Sequence, residues 1–149
     1  MSIKSLSSVL VLGLALALPG VASARNDRLH FPVADAAGTA DAQAKLDGSV
    51  KFYWGGQSHP KVSKNLGTDQ TNKKTNAFNK GDKAACEWAW LSAMITMQNR
   101  AKQLGADAII NLHSIYQNQD FVSDTEYECG IGTFTGGVAL RGEFVKLGN

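Results

Sequence analysis

The sequence has no apolar run long enough to span a bilayer. Its longest run, Val9–Leu18, contains ten residues, whereas a spanning helix needs about 20. This run follows the positive charge of Lys4 and precedes the small residues VASA at 21–24, the pattern of a secretory signal peptide. We therefore predict that residues 1–24 are removed after Ala24 and that the protein is periplasmic. No cysteine lies near the cut, so we expect no lipid anchor.

The chain also lacks a surplus of charge of either sign. It carries 15 lysines and arginines against 13 acidic residues, and residues 1–24 contain one of these charges, Lys4. The mature chain is therefore almost neutral. Because proteins that bind nucleic acid neutralise phosphates with clustered surplus cations, we expect no nucleic-acid partner. The 125 residues after the cut are enough for one domain with its own core.

Cysteine is scarce, and Cys86 and Cys129 are the only two. In an oxidising compartment an isolated pair is typically a disulfide, which is the interpretation we favour. The alternative is a redox-active thiol, because Cys86 falls in the first two turns of a predicted helix, where the thiolate is stabilised. The pair does not have the C-x-x-C spacing of redox proteins.

Catalytic motifs are missing from the sequence. It contains neither G-x-S-x-G nor G-x-x-x-x-G-K-[ST], so it has no nucleophile elbow and no phosphate-binding loop. We therefore predict that the protein is not an enzyme, does not hydrolyse nucleotides and needs no cofactor.

The spacing of the possible metal ligands gives only weak evidence for a metal site. The three histidines, His30, His59 and His113, are far apart, and none has a second ligand one helical turn away. An acidic segment, residues 117–128, supplies the weak metal candidates Asp120, Asp124, Glu126 and Glu128. This segment lacks the spacing of an EF-hand, and we favour a solvated hairpin connection.

The clearest pattern present is a helix that leads directly into a strand. We predict that Asp82 caps a helix ending at Leu104 and that Gly105 provides its left-handed stop. Apolar residues recur at steps of three and four, as on one buried helix face: Cys86, Trp90, Ala93, Met97, Ala101 and Leu104. After a short hinge, residues 108–116 are predicted to form a strand.

Two more strands are predicted from alternation of apolar and polar residues. They cover residues 49–54 and 133–147, the second with a bulge or bend at Gly136-Gly137 and with Val138, Leu140, Gly142 and Phe144 on one face. Residues 25–47 are predicted to be a weakly packed arm, and the polar, lysine-rich residues 57–83 a long loop. The predicted fold class is α+β: one domain at 48–149, with one long helix on a small, largely antiparallel sheet in the order β-α-β-β.

The segment Ala101–Ser114, AKQLGADAIINLHS, resembles a block found in a family of small bacterial domains. The family comprises the YbjQ-like domains and the outer-membrane lipoprotein sensor of the Rcs envelope-stress phosphorelay. In these proteins the phrase A-x-x-[LM]-x-A-[ND]-A-[IV] ends a helix and opens the next strand. Residues 137–142, GVALRG, are similar to the closing strand of the family, and Cys86 resembles a cysteine that the sensor ties into a disulfide.

This resemblance covers about residues 84–147 and implies a fold more than a function. The sensor is lipidated, has a proline-rich tether and uses two disulfides, so its signalling contacts are not carried over. Exported chains of this type are sometimes labelled excinuclease ATPase subunits, a label that the missing phosphate-binding loop contradicts.

Together these features predict a non-enzymatic periplasmic protein that acts by binding an envelope protein partner, in envelope homeostasis or stress sensing. The alternative is small-ligand or metal binding by the acidic segment, the histidines or the sheet surface. We also expect an exposed strand edge, at Val50–Trp54 or Val138–Leu147, to support homo-oligomers. Function is expected in residues 57–83 and 117–128, with the helix-strand block as their scaffold.

Overall fold

A computed structural model describes residue 20 and residues 23–148 of the chain. The predicted signal peptide lies outside these residues, apart from Gly20, Ser23 and Ala24. In chain order, the helices and strands are β1 (Asn26–Pro32), α1 (Val33–Ala37), α2 (Ala40–Lys45), β2 (Lys51–Trp54), β3 (Val62–Asn76), α3 (Asp82–Leu104), β4 (Ala108–Ser114), β5 (Glu126–Gly132) and β6 (Thr135–Leu147), with a 3₁₀ turn at Tyr116–Asn118 after β4.

The six strands form one curled sheet with β6 at its centre. One side of β6 pairs along its length with β3. Its other side pairs first with β5, which continues to β1, and then with β4, which continues to β2. Only the β2–β4 pair is parallel among the described strands. The predicted mixed single domain with one long helix is therefore confirmed, but its sheet is larger than expected.

Helix α3 covers one face of this sheet and forms the core with it. The predicted apolar face is confirmed from Cys86 to Ala101, and Trp90, Met94 and Met97 are each 1% exposed. They pack in one cluster with Val138, Leu140 and Phe144 of β6, so the predicted inner face of β6 is also confirmed. Leu104 is only partly buried at the rim of the cluster.

The two ends of α3 differ in how well the sequence predicts them. Gly105 ends the helix with φ 71°, as expected of a glycine in the left-handed region. At the other end Gly81 takes the cap position, and Asp82 is the first helical residue. Arg25 donates to the Asp82 carboxylate from its two terminal guanidinium nitrogens, at 3.0 and 2.6 Å, and holds the pKa of Asp82 below its usual value. Asp82 therefore forms an ion pair with Arg25 instead of capping the helix with its side chain.

Cys86 and Cys129 form a disulfide, as predicted, with their Cα atoms 5.9 Å apart. It joins the first turns of α3 to the middle of β5. Both residues are 0% exposed, and thiol exchange requires access to the sulfur atoms. The structure therefore supports a structural bridge over the redox alternative.

The predicted loop at residues 57–83 is largely a strand. Residues 62–76 form β3, whose positions alternate between half-buried and exposed over its second half. Its inward-facing positions are mostly polar, and Asp69 accepts a hydrogen bond from Arg100 of α3 at 2.9 Å. The prediction was wrong because β3 is held by its long pairing with β6, which does not require apolar side chains in β3 itself.

The predicted N-terminal arm is part of the fold. Residues 26–32 form β1 and pair antiparallel with β5, while α1 and α2 each bury one alanine, Ala36 and Ala42, at 1% exposure. The two short helices are separated at Gly38, and Thr39 caps the second with its side chain.

Two smaller predictions about the sheet are also corrected. Gly136 and Gly137 continue a regular ladder opposite Thr75 and Lys74, without a bulge. Segment Val138–Leu147 lies between β3 and β4, so it offers no free edge. The edges of the described sheet are β1, β2 and β3. No helix among the described residues has the length and apolar content needed to cross a membrane.

Candidate functional site

An apolar cavity lies beneath the short helices, between α1, β2 and α3. Its volume is about 370 Å³, and its apolar lining includes Val33, Leu46, Phe52, Trp54, Trp90 and Met94. Trp54, Trp90 and Met94 are at most 3% exposed and form its floor. Small-molecule pockets are typically 300–1,000 Å³ and mostly apolar, with a few polar groups. The apolar cavity fits the lower end of that description.

A polar rim closes one side of the apolar cavity. Gly56 donates its backbone N–H to the Asp124 carboxylate at 2.7 Å, and Gln57 donates its side-chain amide to the Asp124 backbone oxygen at 2.7 Å. The Gln57 side-chain oxygen in turn accepts from the Trp54 backbone N–H at 2.9 Å. This network joins the end of β2 to the segment before β5, so the rim is held in place by three hydrogen bonds.

Two polar atoms of neighbouring core side chains are buried without a partner. Among the described residues, the Trp90 Nε1 donor and the Tyr127 hydroxyl are the buried side-chain atoms that make no hydrogen bond. The two rings lie 6.0 Å apart, and Trp90 lines the apolar cavity. Because buried polar groups are nearly always paired, such exceptions need an explanation.

The Tyr127 hydroxyl remains a donor at neutral pH. Burial raises the pKa of Tyr127 far above its usual value, and the negative charges of Glu87 and Asp35 add to the shift. A neutral phenol and an indole N–H are therefore buried in adjacent rings, and neither group can act as a general base at neutral pH. This arrangement suits binding rather than proton transfer.

The four acidic metal candidates do not converge. Asp124 belongs to the cavity rim, Asp120 accepts from His113 at 3.2 Å, and Glu128 accepts from Arg28 at 2.8 Å. Glu126 begins β5 and is half-buried. Across residue 20 and residues 23–148, no group of three or more His, Cys, Asp or Glu residues is placed to hold a metal ion.

Glu128 is the centre of a polar cluster on the face of the sheet opposite α3. The residue is 6% exposed, and its carboxylate accepts from His30 at 3.0 Å in addition to Arg28. His30 stacks on Phe121 with ring centroids 3.9 Å apart. The alternation of Leu29 and Phe31 with these polar residues in β1 was the signal that could have placed them in a strand.

The remaining histidines and lysines have ordinary structural surroundings. His113 is 7% exposed, and its Nδ1 lies 2.7 Å from the backbone oxygen of Asn111, while His59 Nδ1 lies 2.8 Å from the Pro60 oxygen. In residues 57–83, Lys83 pairs with Asp35 at 2.7 Å. The other lysines of that segment make no ion pair with the described residues.

Comparison with family models, with curated proteins and with solved structures finds no match to this chain. The resemblance to YbjQ-like domains and the Rcs sensor therefore stays a prediction that rests on residues 84–147.

Proposed function

We propose that this protein is a periplasmic, non-enzymatic binding protein and that the apolar cavity is its ligand site. The observation that carries the proposal is the apolar cavity of about 370 Å³, whose floor includes the ring of Trp90. The N–H of this ring is buried without a partner, and a ligand whose hydrogen-bond acceptor reaches it would remove the cost of the unpaired donor, which is about 1–3 kcal/mol. The oxidised Cys86–Cys129 pair supports export, because disulfides persist in oxidising compartments.

The cavity selects for a small, neutral and largely apolar molecule. An apolar cavity of about 150 Å³ accepts benzene, so about 370 Å³ would accept a bicyclic ring system. The Asp124 carboxylate at the rim disfavours an anion. The proposed ligand class is therefore a neutral aromatic or alicyclic molecule with a single carbonyl or ring-nitrogen acceptor.

Quinoline and naphthalene form a matched pair of probes, because they share a shape and only quinoline has an acceptor. The chain has three tryptophans, and Trp54 and Trp90 line the cavity while Trp88 lies outside it, 40% exposed. In a Trp88→Phe background, we expect quinoline to change the tryptophan fluorescence and to bind up to about ten-fold more tightly than naphthalene.

The protein is purified after export, and its mass shows whether it begins at Arg25, as the predicted cleavage after Ala24 requires.

Two variants separate the cavity from non-specific binding. Trp90→Phe keeps an aromatic ring but removes the N–H, so quinoline should fall to the affinity of naphthalene, with Trp54 as the reporter. Ala37→Leu fills the cavity mouth from the exposed side of α1 and should abolish binding of both probes, whereas Ala44→Leu, on the exposed side of α2, should change nothing. Equal affinities for the two probes, or full binding by Ala37→Leu, would contradict the proposal.

A second candidate function, contact with an envelope protein partner, is favoured by an exposed aromatic pair. Phe78 and Phe134 are 56% and 62% exposed, and their ring centroids lie 6.1 Å apart. The Ala77 N–H donates to the Phe134 oxygen at 2.8 Å, which fixes the two segments beside each other. Exposed aromatic residues are enriched where proteins bind partners.

We expect Phe78→Ser with Phe134→Ser to remove this contact while the fold remains. In a deletion strain under envelope stress, the wild-type gene should restore growth and the double variant should not. Val122→Ser is the matched control, since Val122 is equally exposed, at 57%, and lies elsewhere. Wild-type growth of the deletion strain, or full rescue by the double variant, would reject this candidate.

A further inference from the structure

A polar groove crosses the face of the sheet opposite α3, between β3 and the 3₁₀ turn. It consists of two neighbouring cavities of about 200 and 250 Å³ that share Gln117. One wall carries Gln70, Asn72 and Lys74 of β3, and the other carries Gln117 and Asn118. Each cavity alone is smaller than a typical small-molecule pocket of about 300 Å³, so a ligand that fits has to extend across both.

The floor of the polar groove is made of small residues, and the ring of Tyr116 covers one end of it. Gly130, Gly132, Gly137 and Ala139 line the two cavities. The ring of Tyr116 lies directly over Gly130, where a Cβ atom would overlap it. At Gly137 an added Cβ would lie 3.6 Å from that ring and 3.7 Å from the Lys74 side chain, an ordinary contact. The floor at Gly137 therefore leaves room for a ligand, and a methyl group added there would reduce that room.

The two glutamines of the groove are held in place by arginines. Arg28 donates to the Gln117 side-chain oxygen at 2.6 Å, and Arg141 donates to the Gln70 side-chain oxygen at 2.7 Å. These bonds occupy the amide oxygens and leave both Nε2 groups without an acceptor among the described residues. The groove thus presents two oriented amide donors.

The remaining groove side chains add further donors and two positive charges, of which Arg25 already pairs with Asp27 and Asp82, whereas Lys74 makes no ion pair with the described residues. Asn72, Asn118 and Lys74 make no side-chain hydrogen bond with any described residue. Gln117 and Asn118 have left-handed backbones, with φ 52° and 58°, a conformation that asparagine tolerates and that is uncommon for glutamine. No acidic side chain lines either cavity within residues 23–148.

We propose that the polar groove binds an acidic oligosaccharide, a chain of sugars that carries a carboxylate. Side-chain amides match the hydroxyl groups of sugars because both donate and accept hydrogen bonds. The ammonium group of Lys74 matches the carboxylate, and the length of the groove selects two or more linked rings. This site is independent of the apolar cavity, since the two share no lining residue.

The test uses two matched pairs of soluble sugars that distinguish the sources of such a ligand. N-acetylglucosaminyl-N-acetylmuramic acid, a cell-wall unit, is compared with neutral chitobiose, and tri-galacturonate, a uronic acid chain, is compared with neutral maltotriose. We expect an acidic member to shift the amide NMR signals of residues 70–74 and 115–118 and to bind about ten-fold more tightly than its neutral partner. Whichever acidic sugar binds identifies the source.

Variants then assign the binding to the groove. Lys74→Gln should reduce the affinity for the acidic sugar to that of its neutral partner, while Lys64→Gln, outside the groove on the same strand, should leave it unchanged. Asn118→Gly keeps the left-handed backbone and should weaken binding about three-fold, and Gly137→Ala should block it.

Binding of quinoline to the apolar cavity should be unaffected by all four substitutions, so failure of one site is distinguishable from failure of the other. The proposal is overturned by equal affinity for acidic and neutral sugars, by NMR shifts elsewhere in the sheet, by unchanged binding in Lys74→Gln, or by no shift at the solubility limit of the sugars.

Discussion

Replacing Cys86 and Cys129 with alanine should lower the free energy of unfolding by about 4 kcal/mol. The disulfide joins cysteines that are 43 positions apart in the sequence, and the chain entropy that such a crosslink removes from the unfolded state corresponds to about that value. Domains of this size are typically stable by about 5–15 kcal/mol, so a large share of the stability depends on this bridge. Equilibrium unfolding in urea, followed by far-UV circular dichroism, measures the change.

Reduced wild-type protein is the natural control for the double variant. Both cysteines are fully buried in the folded chain, so a reductant should act only after unfolding, and the reduced protein should then unfold at about the same urea concentration as the double variant. If the oxidised and reduced wild-type proteins had the same unfolding midpoint, the disulfide would not contribute to stability. A much larger loss in the double variant than in the reduced protein would instead indicate a packing defect from the lost sulfur atoms.

The sequence predicts α3 and β6 well because each buries one face. The three-to-four spacing from Cys86 to Ala101 matches the buried side of α3, and alternation in β6 separates Val138, Leu140 and Phe144 from the opposite face. Where one face of a helix or strand must be apolar to be buried, the spacing of its apolar residues predicts the element directly. The disulfide was predictable from composition, since two lone cysteines in a chain with a predicted export signal have few other roles.

Strands β1 and β3 were missed because their partners, rather than their own side chains, hold them. The strand β3 contains only two apolar side chains, Val62 and Leu66, and lies at an edge, where polar residues and lysines prevent further pairing. In β1 apolar and polar residues alternate only over a few positions before Pro32, and the strand is held by its antiparallel pairing with β5. Local composition cannot reveal a pairing that spans about 100 residues of the chain.

The candidate sites were beyond the reach of sequence patterns for the same reason. The apolar cavity combines residues near positions 33, 54, 90 and 124, and the polar groove joins Gln70 to Gln117. Each of these residues is ordinary in its local context, and only the curled sheet brings them together. The prediction that residues 57–83 and 117–128 carry function remains untested, although the polar groove lies between these two segments.

Replacing Phe144 with alanine should cost about 3–5 kcal/mol of stability. Phe144 lies opposite Ile109 of β4, is 0% exposed and belongs to the cluster that joins α3 to the sheet, so its loss leaves a cavity that the rigid strands on either side cannot close. Glu143, the preceding residue, is half-buried on the opposite face, and Glu143→Ala should change the stability by no more than about 0.5 kcal/mol.

Urea unfolding of the two variants compares the two faces of β6 directly, and equal losses would contradict the placement of α3 on the Phe144 side. A Phe144→Leu variant refines the result, because it restores most of the buried volume and should recover more than half of the lost free energy if the cavity is the cause.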